Sequence, residues 1–451
     1  MTSFADLGLS PKILAALEKT PLKAPTPIQA QSIPHIMAGK DLMGLAQTGT
    51  GKTAAFGLPL LHRILDLGHP PGPKNIRALI LVPTRELATQ IKDNLTMFTQ
   101  GTAVKVVMVV GGASINKQAQ ALVRGADVLV ATPGRLIDLI GRGDVSLEKC
   151  GYLVLDEADH MLDMGFIHSL RQIAKYIPVR RQTMMFSATM PKDITEIADT
   201  YLRDPVKVQV APPGKPAEKV TQGVHYIPNG DKARLVEEYL KKHPGEQALV
   251  FSRTKHGADK LAKVLGGWGF KVGAIHGNRS QNQRDRILAE FKSGEVDVLV
   301  ATDVAARGID IPTVRHVYNF DLPNVPDNYV HRIGRTARAG ASGSSISFCS
   351  PAEMDELAAI EKLLKKPLPV LGGAPWAADV IAATPKPGQN RGQHQARGQN
   401  RGGQKAGSKP PAPKASRPGG GKPQGGRPGQ AAARPQGGGG QGPARRPKAR
   451  G

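Results

Sequence analysis

Ala46, Gln47, Thr48, Gly49, Thr50, Gly51, Lys52 and Thr53 follow a short apolar run and precede a helical pattern. A glycine-rich turn between a strand and a helix points several backbone N–H groups into one concavity, with the positive end of the helix dipole behind them, and so cradles phosphate. Lys52 is placed to reach the β- and γ-phosphates of a nucleoside triphosphate, and the Thr53 hydroxyl to help hold Mg2+. Ala46 stands where the G-x-x-x-x-G-K-[ST] pattern has its first glycine, so the literal motif is broken at one position. Further along, Tyr152, Leu153, Val154 and Leu155 run straight into Asp156, Glu157, Ala158 and Asp159. An acidic tetrapeptide by itself is more often a solvated turn. At the carboxyl end of a buried parallel strand it lies where open α/β sheets bind ligands. There Asp156 would hold Mg2+ through water, and Glu157 would orient and deprotonate an attacking water.

The elements that must position these groups can be read around them. Residues 41–45 form an apolar run, and a helical pattern extends from 54 towards 65. β-rich runs recur at 77–82, 105–110, 127–131, 152–155 and 182–186, most of them separated by helical segments. This alternation predicts an α/β fold with a mainly parallel sheet covered on both faces. Two stretches then repeat: residues 78–84 reappear as 248–254, and the sequence Asp-Val-Leu-Val-Ala-Thr occurs at both 127–132 and 297–302. Both pairs share one offset, and each ends in threonine at a strand terminus, which argues for a duplicated domain. The proline-rich stretch 211–216 is the natural linker between the copies. At the repeat offset Gln222 falls where Lys52 would map, so a single nucleotide site is expected, on the first copy.

The 451 residues carry a formal charge of +24, and fifteen of the cations lie beyond Pro385, where there is no Asp or Glu. The polyanion-binding signal is therefore concentrated in the tail. No run approaches the 18 or so apolar residues of a membrane span, and the first residues lack the basic and apolar regions of a signal peptide. The two cysteines, Cys150 and Cys349, have no metal-ligand spacing and are expected as small buried apolar groups. These features together predict a cytoplasmic protein.

The ordered motifs resemble those of the DEAD-box RNA helicases, and within that family the chain is similar to the bacterial RNA helicase E type. The resemblance covers roughly residues 4–350. It rests on 25–29 (Pro-Thr-Pro-Ile-Gln), 46–53, 83–88, Gly111 and Gly112, 132–135, 156–159 and Ser187-Ala188-Thr189 in the first copy. The second copy adds 250–254, 281–284, 301–310 and 331–338. It implies two tandem RecA-like domains that bind ATP with Mg2+ and RNA, and that hydrolyse ATP while locally unwinding short duplexes or remodelling RNA–protein complexes. Structured or duplex RNA is the implied partner, with ribosomal precursors or an RNA-decay complex as the setting.

Residue by residue, the resemblance makes Gln29 the reader of adenine, consistent with the way a carboxamide pairs bidentately with an adenine edge. Phe4 joins it at the nucleotide, and Asp310 is the implied contact to the ribose. Arg335 and Arg338 are implied arginine fingers, delivering charge across the cleft to the γ-phosphoryl transition state; the plainer alternative is a basic, phosphate-binding loop. Thr84, Arg85, Gly112, Thr132 and Arg135 in the first copy, with Arg253, Gln281, Arg284 and Thr302 in the second, match RNA-facing positions. Hydroxyls, arginines and backbone N–H groups hold sugar–phosphate without reading base identity. Ser187, Thr189 and His331 are implied to couple hydrolysis to strand separation, although Ser187 and Thr189 read equally well as a helix N-cap. One departure concerns adenine: Pro21 and Leu22 stand where the family has a glycine and an aromatic.

The expected organisation is a first domain over 1–210, a linker over 211–218, a second domain over 219–370 and a disordered basic tail over 371–451. The tail is rich in Gly, Pro and Gln and has no aromatic residue after Trp376. Such a segment cannot bury enough apolar surface to fold, and its cations suit it to tethering RNA. Two other functions fit the same motifs: an ATP-dependent RNA clamp or annealing protein, and a double-stranded DNA translocase.

Overall fold

The computed structural model describes residues 3–47, 49–210, 220–306, 313–337 and 342–384. Two seven-stranded sheets run through them, and their strand pairings are parallel. The first holds β1 (Leu42–Leu45), β2 (Ile76–Leu81), β3 (Val106–Val109), β4 (Ala126–Ala131), β5 (Tyr152–Leu155), β6 (Gln182–Ser187) and β7 (Val206–Gln209). The second holds β8 (Val220–Tyr226), β9 (Gln247–Phe251), β10 (Val272–Ile275), β11 (Val298–Ala301), β12 (Val314–Asn319), β13 (Gly343–Cys349) and β14 (Val370–Gly372). Their spatial orders are β3-β4-β2-β5-β6-β1-β7 and β10-β11-β9-β12-β13-β8-β14, the same winding twice. The duplication extends to register: Leu79 pairs with Leu129 in the first sheet, and Leu249 with Leu299 in the second.

Both faces of each sheet's central strands are buried, which is why those strands read as continuous apolar runs rather than alternating ones. Along β2, Ala78 and Ile80 enter one core cluster, and Leu79 and Leu81 the other. Along β9, Ala248 and Val250 face one side, and Leu249 and Phe251 the opposite side. Cys150 and Cys349 are free and buried, as expected.

Three expectations need correction. The helix after β1 spans Lys52–Asp66 and so begins at Lys52 rather than Ala54. In the second copy Gln222 lies inside β8, and the following helix, Lys232–Lys242, opens on Lys232. Because β8 has seven residues and β1 four, the structural counterpart of Lys52 falls at Lys232. Finally, a tail starting at residue 371 starts too early. β14 reaches Gly372 and pairs with β8, a helix spans Ala378–Ala383, and the Trp376 indole donates to the Cys349 carbonyl at 3.1 Å. Val370 and Leu371 stay about half exposed, so an edge strand held by backbone bonds left no apolar pattern to read. Linker residues 211–218 and the chain beyond Thr384 lie outside the described residues.

Candidate functional site

The phosphate-binding turn is built where β1 ends. Gly51 caps the helix Lys52–Asp66 with φ +93°, and a Cβ there would meet the Gln29 amide nitrogen at 2.4 Å, so only glycine fits. Gln29 is fully buried: its oxygen accepts the Thr26 N–H at 2.9 Å, and its nitrogen donates to the Gly51 carbonyl at 3.0 Å. The Thr26 hydroxyl donates to the Thr50 carbonyl at 2.8 Å. Gln29 thus caps its own helix and braces the turn. Within the turn, the Thr50 hydroxyl donates to the Gln47 carbonyl at 2.8 Å, and Lys52 Nζ donates to the Ala46 carbonyl at 3.1 Å. Thr48 lies outside the described residues.

A cavity of about 240 Å³ opens over this turn, lined by Gln29, Gly49, Gly51, Lys52, Thr53, Asp156 and Glu157. Leu22 and Phe98 line it too. Phe98 comes from the helix Arg85–Phe98, whose place beside the nucleotide turn had no local signature. Phe4 is buried in the core cluster with Leu7 and Leu9 and is not among the residues lining the cavity.

The acidic stretch meets the turn from β5. Asp156 sits 2 % exposed, with Lys52 Nζ 4.0 Å from its carboxylate and the Glu157 N–H donating to it at 3.0 Å. Burial pushes the Asp156 carboxyl up to about 6, against the pull of Lys52. Glu157 has φ +52°, a costly conformation for a residue with a side chain and one that clusters at functional sites. Burial opposes its charge, yet His160, with Lys52 and Arg335 behind it, holds its carboxyl far below the usual range. The His160 ring nitrogen Nδ1 lies 3.0 Å from the Glu157 carboxylate. His160 was not singled out from sequence, where it was simply the residue after the acidic motif.

Asp159 ties this corner to Ser187-Ala188-Thr189. Its Oδ2 accepts the N–H groups of Ala188 and Thr189 at 3.0 and 2.9 Å, and the Thr189 hydroxyl at 3.1 Å. Ser187 donates to the Thr189 carbonyl at 2.8 Å. The next helix, Lys192–Tyr201, is capped at Pro191, so neither Ser187 nor Thr189 is an N-cap.

The second domain closes on the same corner. His331 Nδ1 lies 2.8 Å from His160 Nε2, and His331 Nε2 3.8 Å from Asp159. Burial, and then His160, push His331 well below the ordinary range, against the pull of Asp159. Arg335 is 4 % exposed, and its Nε donates to the His331 carbonyl at 3.2 Å. Arg332 is consumed structurally, with a bidentate pair to Asp303 at 2.5 and 2.8 Å and a bond to the Asp321 carbonyl at 2.6 Å. Arg338 and Asp310 lie outside the described residues.

A second cavity, about 500 Å³, lies between the domains and brings together Thr84, Arg85, Gly112 and Thr132 from one side with Gln281 and Arg284 from the other. Arg85 donates to Gln281 at 2.8 Å, and Arg284 pairs with the buried Glu86 at 2.8 Å. Gly112 has φ +65°, and a Cβ there would lie 1.7 Å from the Arg85 guanidinium. Glycine at 112 therefore leaves room for Arg85. Arg135 sits nearby, donating to the Ala113 carbonyl at 2.9 Å. Arg253 and Thr302 do not line this cavity. Arg253 is held by Glu353 and Glu356 at 3.3 and 3.5 Å, and Thr302 leads the short helix Asp303–Ala306. Glu86 is the residue missed here, a charge inside an otherwise arginine-rich face.

Comparison with known proteins agrees with this geometry. A DEAD/DEAH box helicase model matches residues 26–197, and a helicase conserved C-terminal domain model matches 231–340. The ATP-dependent RNA helicase CshA of Listeria monocytogenes is 43% identical over 376 residues, covering 83% of this chain and 71% of that protein. The DEAD-box ATP-dependent RNA helicase CshA of Geobacillus kaustophilus is 43% identical over 368 residues, 81% of this chain and 77% of that one. Among solved structures, S. cerevisiae Dbp5 bound to RNA and ADP BeF3 is 31% identical with a TM-score of 0.75, over 82% of this chain and 96% of that one. Mss116p bound to ssRNA and AMP-PNP is 27% identical with a TM-score of 0.76, over 83% and 80%. Taken with the paired RecA-like sheets and the acidic corner beside the phosphate turn, these matches show that the chain belongs to the DEAD-box family of ATP-dependent RNA helicases.

Proposed function

We propose that this chain is an RNA-dependent ATPase that binds ATP on its first domain and RNA across both, and that uses the cycle to unwind short duplexes or remodel RNA–protein complexes. The observation that carries this reading is the meeting of the two domains at two places at once: His331 and Arg335 at the acidic corner, and Gln281 and Arg284 opposite Arg85. A site completed only by domain closure links nucleotide state to RNA grip.

In this reading Glu157 is the base for the attacking water, and Arg335, with Arg338, stabilises charge on the transferring phosphoryl group. Gln29 reads adenine, and Asp310 contacts the ribose. The residues also fit Mg2+: Asp156 is a buried carboxylate whose nearest cation, Lys52, stands 4.0 Å away, and with the Thr53 hydroxyl it offers the hard oxygen donors that ion prefers. When bound, Mg2+ would neutralise charge on the β- and γ-phosphates. Ser187 and Thr189, tied to Asp159 and through it to His331, are placed to couple the phosphate corner to the RNA side. Thr84, Gly112, Thr132, Arg135, Arg253 and Thr302 would hold sugar–phosphate. The domain limits near 210 and 219 and the basic tail as an RNA tether belong to the same proposal, as do cytoplasmic placement and action on ribosomal precursors or in RNA decay. The RNA helicase E subgroup is likewise our own assignment and rests on the motifs and tail; the relatives reported above are named CshA.

The test pairs ATPase measurements with RNA, DNA or no nucleic acid and a strand-displacement assay on short RNA duplexes. Stimulation by RNA together with ATP-dependent displacement is expected. RNA-stimulated hydrolysis without displacement would instead make the chain a clamp or annealer, and equal stimulation by DNA would remove the preference for RNA.

A further inference from the structure

We propose that His243, Glu246 and His316 of the second domain form a binding site for one divalent cation of the zinc class, separate from the nucleotide metal. His243 ends the helix Lys232–Lys242, Glu246 immediately precedes β9, and His316 lies near the start of β12. The site therefore sits at the amino-terminal edge of the second sheet, opposite the carboxyl ends that carry the nucleotide and RNA residues.

One ligand atom from each of the three side chains lies within 4.8 Å of the others. His316 Nε2 is 2.5 Å from Glu246 Oε2, and the His243 and His316 rings stand 4.2 Å apart. Two imidazoles this close cannot both carry a proton's charge without repulsion, whereas two neutral imidazoles and a carboxylate can share one cation. His316 Nδ1 lies 2.8 Å from the Ser344 hydroxyl, an outer partner that fixes the ring with Nε2 turned towards Glu246 and His243. The neighbouring cation, Arg315, bonds instead to the Ser342 carbonyl at 3.4 Å. Two histidines and one carboxylate with an open fourth position suit Zn2+; imidazole donors disfavour Mg2+. Such an ion would clip the end of the helix Lys232–Lys242 to β12, two elements far apart in sequence.

The test is a calorimetric titration of Zn2+ into the full chain with Mg2+ in excess, repeated on Glu246→Gln and His243→Ala. The Glu246 side chain is 49% exposed, so its isosteric replacement does not threaten folding. One tight ion per chain is expected, weakened at least about 10-fold in each variant, as loss of metal-site groups generally does. Zn2+ should also raise the melting temperature of the wild type but not of Glu246→Gln, and Co2+ should give visible d–d absorption only when the triad is intact. Equal binding by the wild type and both variants would place the ion elsewhere and overturn the proposal. Absence of a stoichiometric ion in the wild type would leave the triad a hydrogen-bonded cluster and overturn it equally.

Discussion

Lys52 and Lys232 occupy the same place in the two copies, each the first residue of the helix that follows an equivalent strand. Each also lies about 4 Å from an aspartate beyond an equivalent strand: Asp156 after β5 at 4.0 Å, and Asp321 after β12 at 3.9 Å. What differs is the third group. Lys52 faces a cavity and, among the described residues, otherwise donates to its own loop at the Ala46 carbonyl. Lys232 is fully buried, 2.5 Å from Glu353, and donates to the Phe320 carbonyl at 2.8 Å. Burial opposes the charge on Glu353, but Lys232 and Ser350 hold its carboxyl below the ordinary range. Glu353 thus supplies the anion that Lys232 faces, and in the second copy the lysine forms a structural ion pair. The two copies share the fold and the lysine, and one carboxylate from the short helix Pro351–Glu353 separates what the two lysines do.

The sharpest way to break this division of labour is at Arg335, the second copy's contribution to the first copy's site. Arg335→Ala should lower RNA-stimulated hydrolysis about 10³-fold or more, with ATP binding retained. Near wild-type turnover would mean that the first domain does not need its partner for chemistry. Glu157→Gln should follow, lowering turnover about 10²- to 10⁴-fold while ATP and RNA still bind and the closed form accumulates. Single-turnover hydrolysis at wild-type rate in this variant would assign the base elsewhere.

The two lysines should then fail in different ways. Lys52→Ala should lose nucleotide binding with little change in unfolding. Lys232→Met should leave the buried Glu353 without its nearer cation, with Arg253 at 3.3 Å the one that remains, and cost about 3 kcal/mol of second-domain stability. Denaturant unfolding with nucleotide titrations on both variants checks the contrast, and a stable Lys232→Met protein would refute it. Because the folded Glu353 carboxyl is held low, its stabilisation is present above its ordinary value of 4.5 and fades as pH falls through the folded-state value. The smallest effect is expected at Leu22, which lines the nucleotide cavity. An aromatic packed on adenine contributes about 0.5–1.5 kcal/mol, so Leu22→Phe should tighten ATP binding several-fold at unchanged saturated turnover. Unchanged affinity would mean that Phe98 already supplies the aromatic face.

Local order was legible in the chain because it is written between neighbours. Apolar runs located six strands of the first sheet, the paired repeats announced the second domain, and the glycines ahead of Lys52 placed the phosphate turn. β7 escaped because Val206–Gln209 is an edge strand whose burial is only partial. What the tertiary structure alone decided are contacts between groups distant in sequence. Glu353 reaches Lys232 across 121 residues, His331 reaches His160 across 171, and Gln281 reaches Arg85 across 196. No periodicity or turn chemistry encodes such meetings, since they depend on which strand ends converge when two parallel sheets close on one another. For the same reason residue type alone does not separate Arg332 from Arg335, three apart on one basic stretch, and only the resemblance set Arg335 apart. In the fold, the first is spent on Asp303, and the second, bonded to the His331 carbonyl, lies near enough to Glu157 for its charge to favour that carboxylate.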